Sequence, residues 1–338
     1  MTKLYNVAVV GATGAVGEAM LAGLIERKFP VDTVYAIASE RSVGKTIDFG
    51  RDTLDVLDIA TFDFTDVDLA LFSAGNEVSK QYAPIAAAHG CVVIDNSSCF
   101  RYDADIPLVI PEVNPECIAD YTRQGIIANP NCSTIQLLVA LKPLHDAVGI
   151  TRINVATYQS VSGTGKEAIS ELINQLGQLL NGRPVKPSVY PQQIAFNVLP
   201  HIDAFQDNGY TREEMKMVWE TQKILGDDTI LVNPTAVRVP VLYGHSEAIH
   251  VEFKSPLTAA EAKKLLKKAP GVVVVDDKNK YPTVISHATG HDEVFVGRIR
   301  QDISHPNGLD LWVVADNVRK GAATNAIQIA ELLCRDYL

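Results

Sequence analysis

The sequence has no CxxC pair and no Cys/His run of metal-ligand spacing, and its five cysteines are scattered at Cys91, Cys99, Cys117, Cys132 and Cys334. An odd number without paired spacing argues against a disulfide framework and against a structural zinc site, so each is expected to stay a thiol and no metal is expected. Also missing is any basic run long enough to track a polyanion. Lys plus Arg number 30 against 40 Asp plus Glu, a net charge of −10, which sets nucleic-acid binding aside. No apolar stretch approaches the roughly 18 residues that a membrane span needs. The amino end passes from Met1-Thr2-Lys3 into a core-like stretch at residues 4–10 without the layout of a signal peptide, so the expected compartment is the cytosol. There is no internal repeat and no low-complexity segment. What is present is a 338-residue chain, 47% hydrophobic and 21% charged, about two domains' worth of packed protein by length.

Residues 4–10 form a short apolar run ending at a glycine cluster, and residues 15–27 carry Val16, Met20, Leu24 and Ile25 at helical spacing. Further apolar runs at 31–38, 69–72 and 92–94 recur with a helical stretch at 78–88 between them. Continuous rather than alternating hydrophobicity is what parallel strands covered on both faces show. The expected fold class is α/β: a Rossmann-like dinucleotide-binding domain over residues 1–130, completed by a closing helix at about 319–338. Beyond Asn129-Pro130-Asn131 the pattern changes. Helices are expected at 133–147, 165–180 and 212–225, with strands at 151–161, 230–239, 248–253, 294–300 and 309–314. Ile153, Val155 and Tyr158 are read there as the inward side of a half-exposed strand. Residues 131–318 thus read as an α+β catalytic and dimerisation domain with a mixed sheet.

Gly11-Ala12-Thr13-Gly14-Ala15-Val16-Gly17 sits directly between the first strand and the first helix. A helix start there presents unpaired N–H groups and positive dipole character to a phosphate, so a dinucleotide is the expected occupant. The end of the second strand decides which one, because an acidic residue there holds the ribose hydroxyls of NAD and a basic one accepts the extra phosphate of NADP. The chain reads Ala38-Ser39-Glu40-Arg41-Ser42. Ser39, Arg41 and Ser42 make a phosphate cradle that points to NADP, whereas Glu40 would favour NAD if it turned inward.

Cys132 lies in a polar, proline-containing turn immediately before the amphipathic run IQLLVALKPL. Its sulfur is therefore expected at a helix N-terminus, where the thiolate is favoured and a nucleophile can be made. Of eight histidines, His245 has the most suggestive setting, at a glycine turn between two strand patterns, where an imidazole can serve as acid and base.

Taken in order, GATGAVG, SERSVGK, SAGNEVSK, DNSSCFR, IPEVN, NPNCSTIQ, YQSVSGTGKEA, ETQKI, RVPVLYGHSEA and DNVRKGAATNAIQIAE resemble the aspartate-β-semialdehyde dehydrogenase family over nearly the whole chain. The resemblance implies NADPH-dependent reduction of L-aspartyl 4-phosphate to L-aspartate 4-semialdehyde with release of phosphate. That reaction lies at the branch toward lysine and diaminopimelate, threonine and methionine. It implies a homodimer or tetramer, Cys132 as acyl-thioester nucleophile, His245 as acid/base and Gln159 positioning the substrate. Oxyanion donors would come from the Cys132 backbone N–H or the Asn131 side chain. Arg238 would grip the α-carboxylate, Glu220 would pair with the α-ammonium, and Lys223 with Arg101 would receive the phosphate; Lys216 is a second candidate. Ser162, Gly163 and Asn317 resemble positions near the nicotinamide. Cys99 occupies a place where another small residue is expected. Two other readings stand beside this one. An N-acetyl-γ-glutamyl-phosphate reductase shares the cysteine and NADPH but has no use for an ammonium-binding glutamate, and a catalytically dead paralogue would have lost the thiol or the imidazole.

Overall fold

The structure, a computed structural model, describes residues 3–338; Met1 and Thr2, on which the reading of the amino end partly rests, lie outside the described residues. The chain divides into two units, one formed by the chain up to Asn131 together with Ala322–Leu338, the other by Cys132–Gly321.

The first unit is built on a seven-stranded sheet. Its strands are β1 (Tyr5–Val10), β2 (Val31–Ala38), β3 (Thr46–Phe49), β4 (Asp52–Asp58), β5 (Leu69–Phe72), β6 (Val92–Asp95) and β7 (Ile126–Ala128), in the order β3-β4-β2-β1-β5-β6-β7. Every pairing is parallel except the edge hairpin β3–β4, which the apolar pattern had not suggested. β5 and β6 are buried at every position, as expected of strands with a layer on each face. Helices α1 (Ala15–Glu26) and α2 (Asn76–Ala88) follow β1 and β5. Met20, Leu21 and Leu24 of α1 share one apolar cluster with Ile327, Ala330 and Leu333 of the closing helix Thr324–Asp336. Arg27 adds a two-bonded grip on Glu331, at 2.8 and 2.7 Å. The closing helix is shorter than its pattern, because Arg319–Ala323 forms a π-type turn ahead of it.

The second unit carries a six-stranded mixed sheet. Its strands are β8 (Ile150–Gln159), β9 (Leu231–Arg238), β10 (His245–Phe253), β11 (Val272–Val274), β12 (Val294–Gln301) and β13 (Gly308–Ala315), in the order β11-β12-β13-β10-β8-β9. Its helices are α3 (Cys132–Val148), α4 (Lys166–Leu180), α5 (Arg212–Leu225) and α6 (Ala259–Leu266). The short strand β11 and helix α6, the latter started by a Thr258–Glu261 capping box, were not read from the pattern. β10 runs antiparallel to both neighbours, with Glu247 opposite Thr157 on one side and Val313 on the other. Along β8 the inward side chains are Ile153, Val155, Thr157 and Gln159, all buried, while Tyr158 is 38% exposed. Tyr158 therefore belongs to the outer face, as the two-residue period of a strand requires of a neighbour of Thr157 and Gln159. Helix α3 packs against β8, β10, β12 and β13. Ser133, Thr134, Gln136 and the apolar residues through Leu141 are all buried on it, a burial all round that fits a central helix.

Candidate active site

In the first unit the glycine-rich turn joins β1 to α1. Gly11 has φ +88°, and a Cβ there would stand 2.7 Å from the Ser73 carbonyl carbon, so only glycine fits. The Gly11 and Ala12 N–H groups bond the Ile37 carbonyl at 2.8 and 3.1 Å, and the Gly14 N–H bonds the Gly11 carbonyl at 3.0 Å. No side chain caps the amino end of α1. The first-turn N–H groups there, beginning with Ala15, Val16 and Gly17, have no carbonyl of their own helix to reach, which is the arrangement a phosphate uses. Beyond β2, Glu40–Ser42 forms a 3-10 turn with Ser39 ahead of it. Ser39, Glu40 and Arg41 are exposed there.

At the end of β6, the buried Asp95 carboxylate accepts from the Ser79 and Ser97 hydroxyls at 2.6 and 2.5 Å. Burial raises its pKa against those bonds. Ser97 in turn accepts the Cys99 N–H at 3.1 Å, and Arg101, 6% exposed, donates from Nη2 to the Asn96 carbonyl at 2.9 Å. Burial and the Asp95 carboxylate push the Cys99 thiol up, which disfavours its thiolate. Asn129 ties the turn before Cys132 by donating to Asn96 Oδ1 at 2.7 Å and accepting from Asn325 at 2.6 Å. Asn131 is buried.

In the second unit Cys132 is the first residue of α3, on the most positive turn of that helix. Gly321 lies against it: a Cβ at that glycine would stand 2.8 Å from the Cys132 Cβ. Gln159, at the end of β8, donates to the Ser133 hydroxyl at 3.0 Å, the Thr157 hydroxyl at 3.3 Å and Glu213 Oε1 at 3.2 Å. Glu213 Oε2 accepts from Lys216 Nζ at 3.0 Å, and Lys216 also reaches Asp203 at 2.8 Å. Burial alone would lower the Lys216 pKa, but the Glu213 and Asp203 carboxylates outweigh it and raise it. Glu213 is free of helix-starting duty because Glu214 does that work, closing the capping box with Thr211 and accepting the Ala236 N–H at 2.9 Å.

Arg238, the last residue of β9, is 5% exposed and donates from Nη1 to the Ser160 carbonyl at 2.7 Å; its Nε has no partner. His245 is not in the turn but is the first residue of β10, fully buried. Its Nδ1 accepts the Ser160 N–H at 3.1 Å, and its Nε2 has no partner. Burial, with the Arg238 guanidinium beside it, pushes the imidazole pKa down to about 3, so the ring is neutral at physiological pH. The Asn317 Oδ1 accepts from the Gly244 N–H at 2.8 Å and from the Ser160 and Ser162 hydroxyls at 3.0 and 3.1 Å. Ser162 and Asn317 are thus bonded to each other, around the backbone that holds His245 and next to Gly163.

A different carboxylate–ammonium pair from the one the resemblance implies lies beside Gln159. The carboxylate that meets Gln159 is that of Glu213, with Lys216 as its ammonium partner. Glu220 is fully buried two turns further along α5, about 10 Å by helical rise, and Lys223 is half-buried beyond it. Glu213-x-x-Lys216 and Glu220-x-x-Lys223 repeat at seven residues, so they share one helix face, and periodicity alone could not choose between them.

Two family models match the chain: semialdehyde dehydrogenase, NAD binding domain, over residues 6–121, and semialdehyde dehydrogenase, dimerisation domain, over residues 141–320. An aspartate-semialdehyde dehydrogenase of Legionella pneumophila is 70% identical over 100% of this chain and 98% of its own. The chain belongs to the aspartate-semialdehyde dehydrogenase family. Among solved aspartate-semialdehyde dehydrogenases, form II from Vibrio cholerae, complexed with ASA, is 60% identical with a TM-score of 0.99 and full coverage of both chains. The enzyme from Candida albicans, solved with NADP, is 25% identical with a TM-score of 0.78 and covers 98% of each chain. This aspartate-semialdehyde dehydrogenase is accordingly an oxidoreductase of amino-acid biosynthesis with an NAD(P)-binding domain and a dimerisation domain. Among the described residues no helix is long and apolar enough to cross a membrane.

Proposed function

We propose that this aspartate-semialdehyde dehydrogenase reduces L-aspartyl 4-phosphate through a thioester on Cys132, with NADPH as reductant, as a homodimer or an assembly of dimers in the cytoplasm. The observation that carries the reading is a buried cluster of opposite charges with unused polar atoms: Arg238 Nε and His245 Nε2 have no partner, while Glu213 and Lys216 lie beyond Gln159. Buried polar groups of this kind ask for a ligand that pairs them. An amino acid phosphate has the complementary groups. Arg238 grips the α-carboxylate and Glu213 takes the α-ammonium. Lys216 serves the phosphate, a role that the resemblance also gives to Lys223 and Arg101. Glu213 also favours this substrate over an N-acylated one, whose nitrogen carries no charge.

The thiolate of Cys132 adds to the acyl phosphate, and phosphate leaves with the bonding pair to give a thioester. Hydride addition then yields a hemithioacetal, and its collapse releases the aldehyde and returns the thiolate. Negative charge on the carbonyl oxygen is met by the Cys132 N–H and by Asn131; one such donor contributes about 2.7–4 kcal/mol. His245 acts as acid and base at the reacting carbonyl, and Gln159 keeps the carbonyl beside the sulfur. NADPH, when bound, supplies the hydride. The uncapped start of α1 fits a pyrophosphate at the turn that holds Gly11, Thr13, Gly14 and Gly17, and Ser39, Arg41 and Ser42 would hold the 2′-phosphate.

The test follows NADPH formation from aspartate semialdehyde with and without phosphate, for the native enzyme and C132A. Phosphate-dependent turnover that C132A abolishes while still binding NADP is the expected result; comparable turnover in C132A ends the thioester mechanism.

A further inference from the structure

The mechanism leaves one buried acid without a role. Glu247 stands on β10 two residues from His245, on the same inward face, and opposite Thr157 of β8. It is fully buried, and neither carboxyl oxygen makes a hydrogen bond of good geometry. Facing it from α3 is the side chain of Gln136, itself 1% exposed and likewise short of well-formed partners at both ends of its amide. Gln136 lies one turn beyond Cys132. The next row of the sheet, Val155 with Ile249, is apolar. Two polar rungs therefore join the first turns of α3 to the sheet. Ser133 meets Gln159 in one, and Gln136 meets Glu247 in the other.

We propose that Glu247 is a positioning residue: its carboxyl group, held against Gln136, fixes the first turn of α3 and with it the sulfur of Cys132. The inference rests on the reading of Cys132 as nucleophile and deepens it. The elements packed on Glu247 present Gln136 from α3, Thr157 from β8 and Val313 from β13, none of them titratable, and on its own strand His245 is two residues away. Burial favours the protonated carboxyl and raises its pKa well above the ordinary value. The neutral acid can donate to Gln136 Oε1 and accept from Gln136 Nε2. Ionised, it would lose the donated bond and place a negative charge one helical turn from the thiolate, against the helix dipole that favours it. The rung is therefore made below the raised pKa and broken as pH rises through it.

The test compares E247Q and E247L with the native full-length enzyme. The readouts are kcat and KM against pH, and the rate of iodoacetamide alkylation of Cys132 without substrate, followed by mass spectrometry. Glutamine reproduces the neutral acid, so E247Q should keep kcat within about twofold and stay active on the alkaline side where the native enzyme declines. E247L should lose about tenfold in kcat, with KM within about twofold, and alkylate more slowly. An E247Q as impaired as E247L, an E247Q that fails to fold, or an unchanged alkaline limb in E247Q overturns the proposal, as does native alkylation in E247L. Alkylation in the expected order with turnover that ignores it would support the placement of the sulfur and instead overturn the thioester reading.

Discussion

Replacing Gly321 with alanine tests the placement of the nucleophile without altering any side chain that binds or reacts. The backbone at this glycine is outside the left-handed region, so alanine brings only its methyl group. That carbon would lie 2.8 Å from the Cys132 Cβ and 3.3 Å from its Cα, where ordinary contact begins near 3.4 Å. Relief requires a shift of 3.4 − 2.8 = 0.6 Å, and Cys132 opens a helix packed on all sides, so part of the shift falls on the sulfur. Misplacement by about 1 Å costs about a hundredfold in rate, so G321A should lose about tenfold in kcat, or about 1.4 kcal/mol of barrier. KM for both substrates should hardly move, since Arg238, Glu213 and the glycine-rich turn are untouched. Overpacking should cost about 1–3 kcal/mol of stability, visible as a lower melting temperature. Steady-state kinetics with both substrates varied, alongside a thermal melt, would show this pattern. A destabilised G321A with native kcat would refute the reasoning, because the strain would then be real and the sulfur indifferent to it.

Three further outcomes follow from the site. E213Q should raise KM for the amino acid substrate at least tenfold by removing the charge that faces its ammonium, whereas E220Q should leave that KM within about twofold; the reverse order would restore the other glutamate. R41E should raise KM for NADPH much more than for NADH, and equal changes would mean that Arg41 does not meet the 2′-phosphate. His245 has a folded pKa of about 3 against the ordinary imidazole value of about 6.5. The unfolded chain therefore binds the extra proton between those values, and stability should fall as pH drops through that window, by about 1.4 kcal/mol per pH unit at most. Denaturant melts of H245N should show a shallower acid-side slope, and an unchanged slope would place the imidazole in water.

The candidate phosphate-binding turn and the candidate nucleophile were readable along the chain because the physics that selects them is local. A glycine cluster between an apolar strand and a helical pattern needs nothing distant to cradle a phosphate. A cysteine after Asn-Pro-Asn and before an apolar helix is at an N-terminus wherever that helix packs. Periodicity also placed α4 and α5 close to their observed bounds. It did not reveal α6, β11 or the β3–β4 hairpin, short elements whose apolar residues are too few to outweigh tertiary packing.

Selection among equivalent local patterns came from the fold. Two Glu-x-x-Lys pairs lie on one face of α5, and only the packing of that helix against β9 and α3 brings Glu213 rather than Glu220 to Gln159. Likewise, alternation along β8 and β10 says that Thr157, Gln159, His245 and Glu247 share sides of their strands, but not that this side is sealed from water. Burial of His245 and Glu247 sets their protonation, and it is produced by residues far away in sequence, so a one-dimensional reading could name these groups and not their charge.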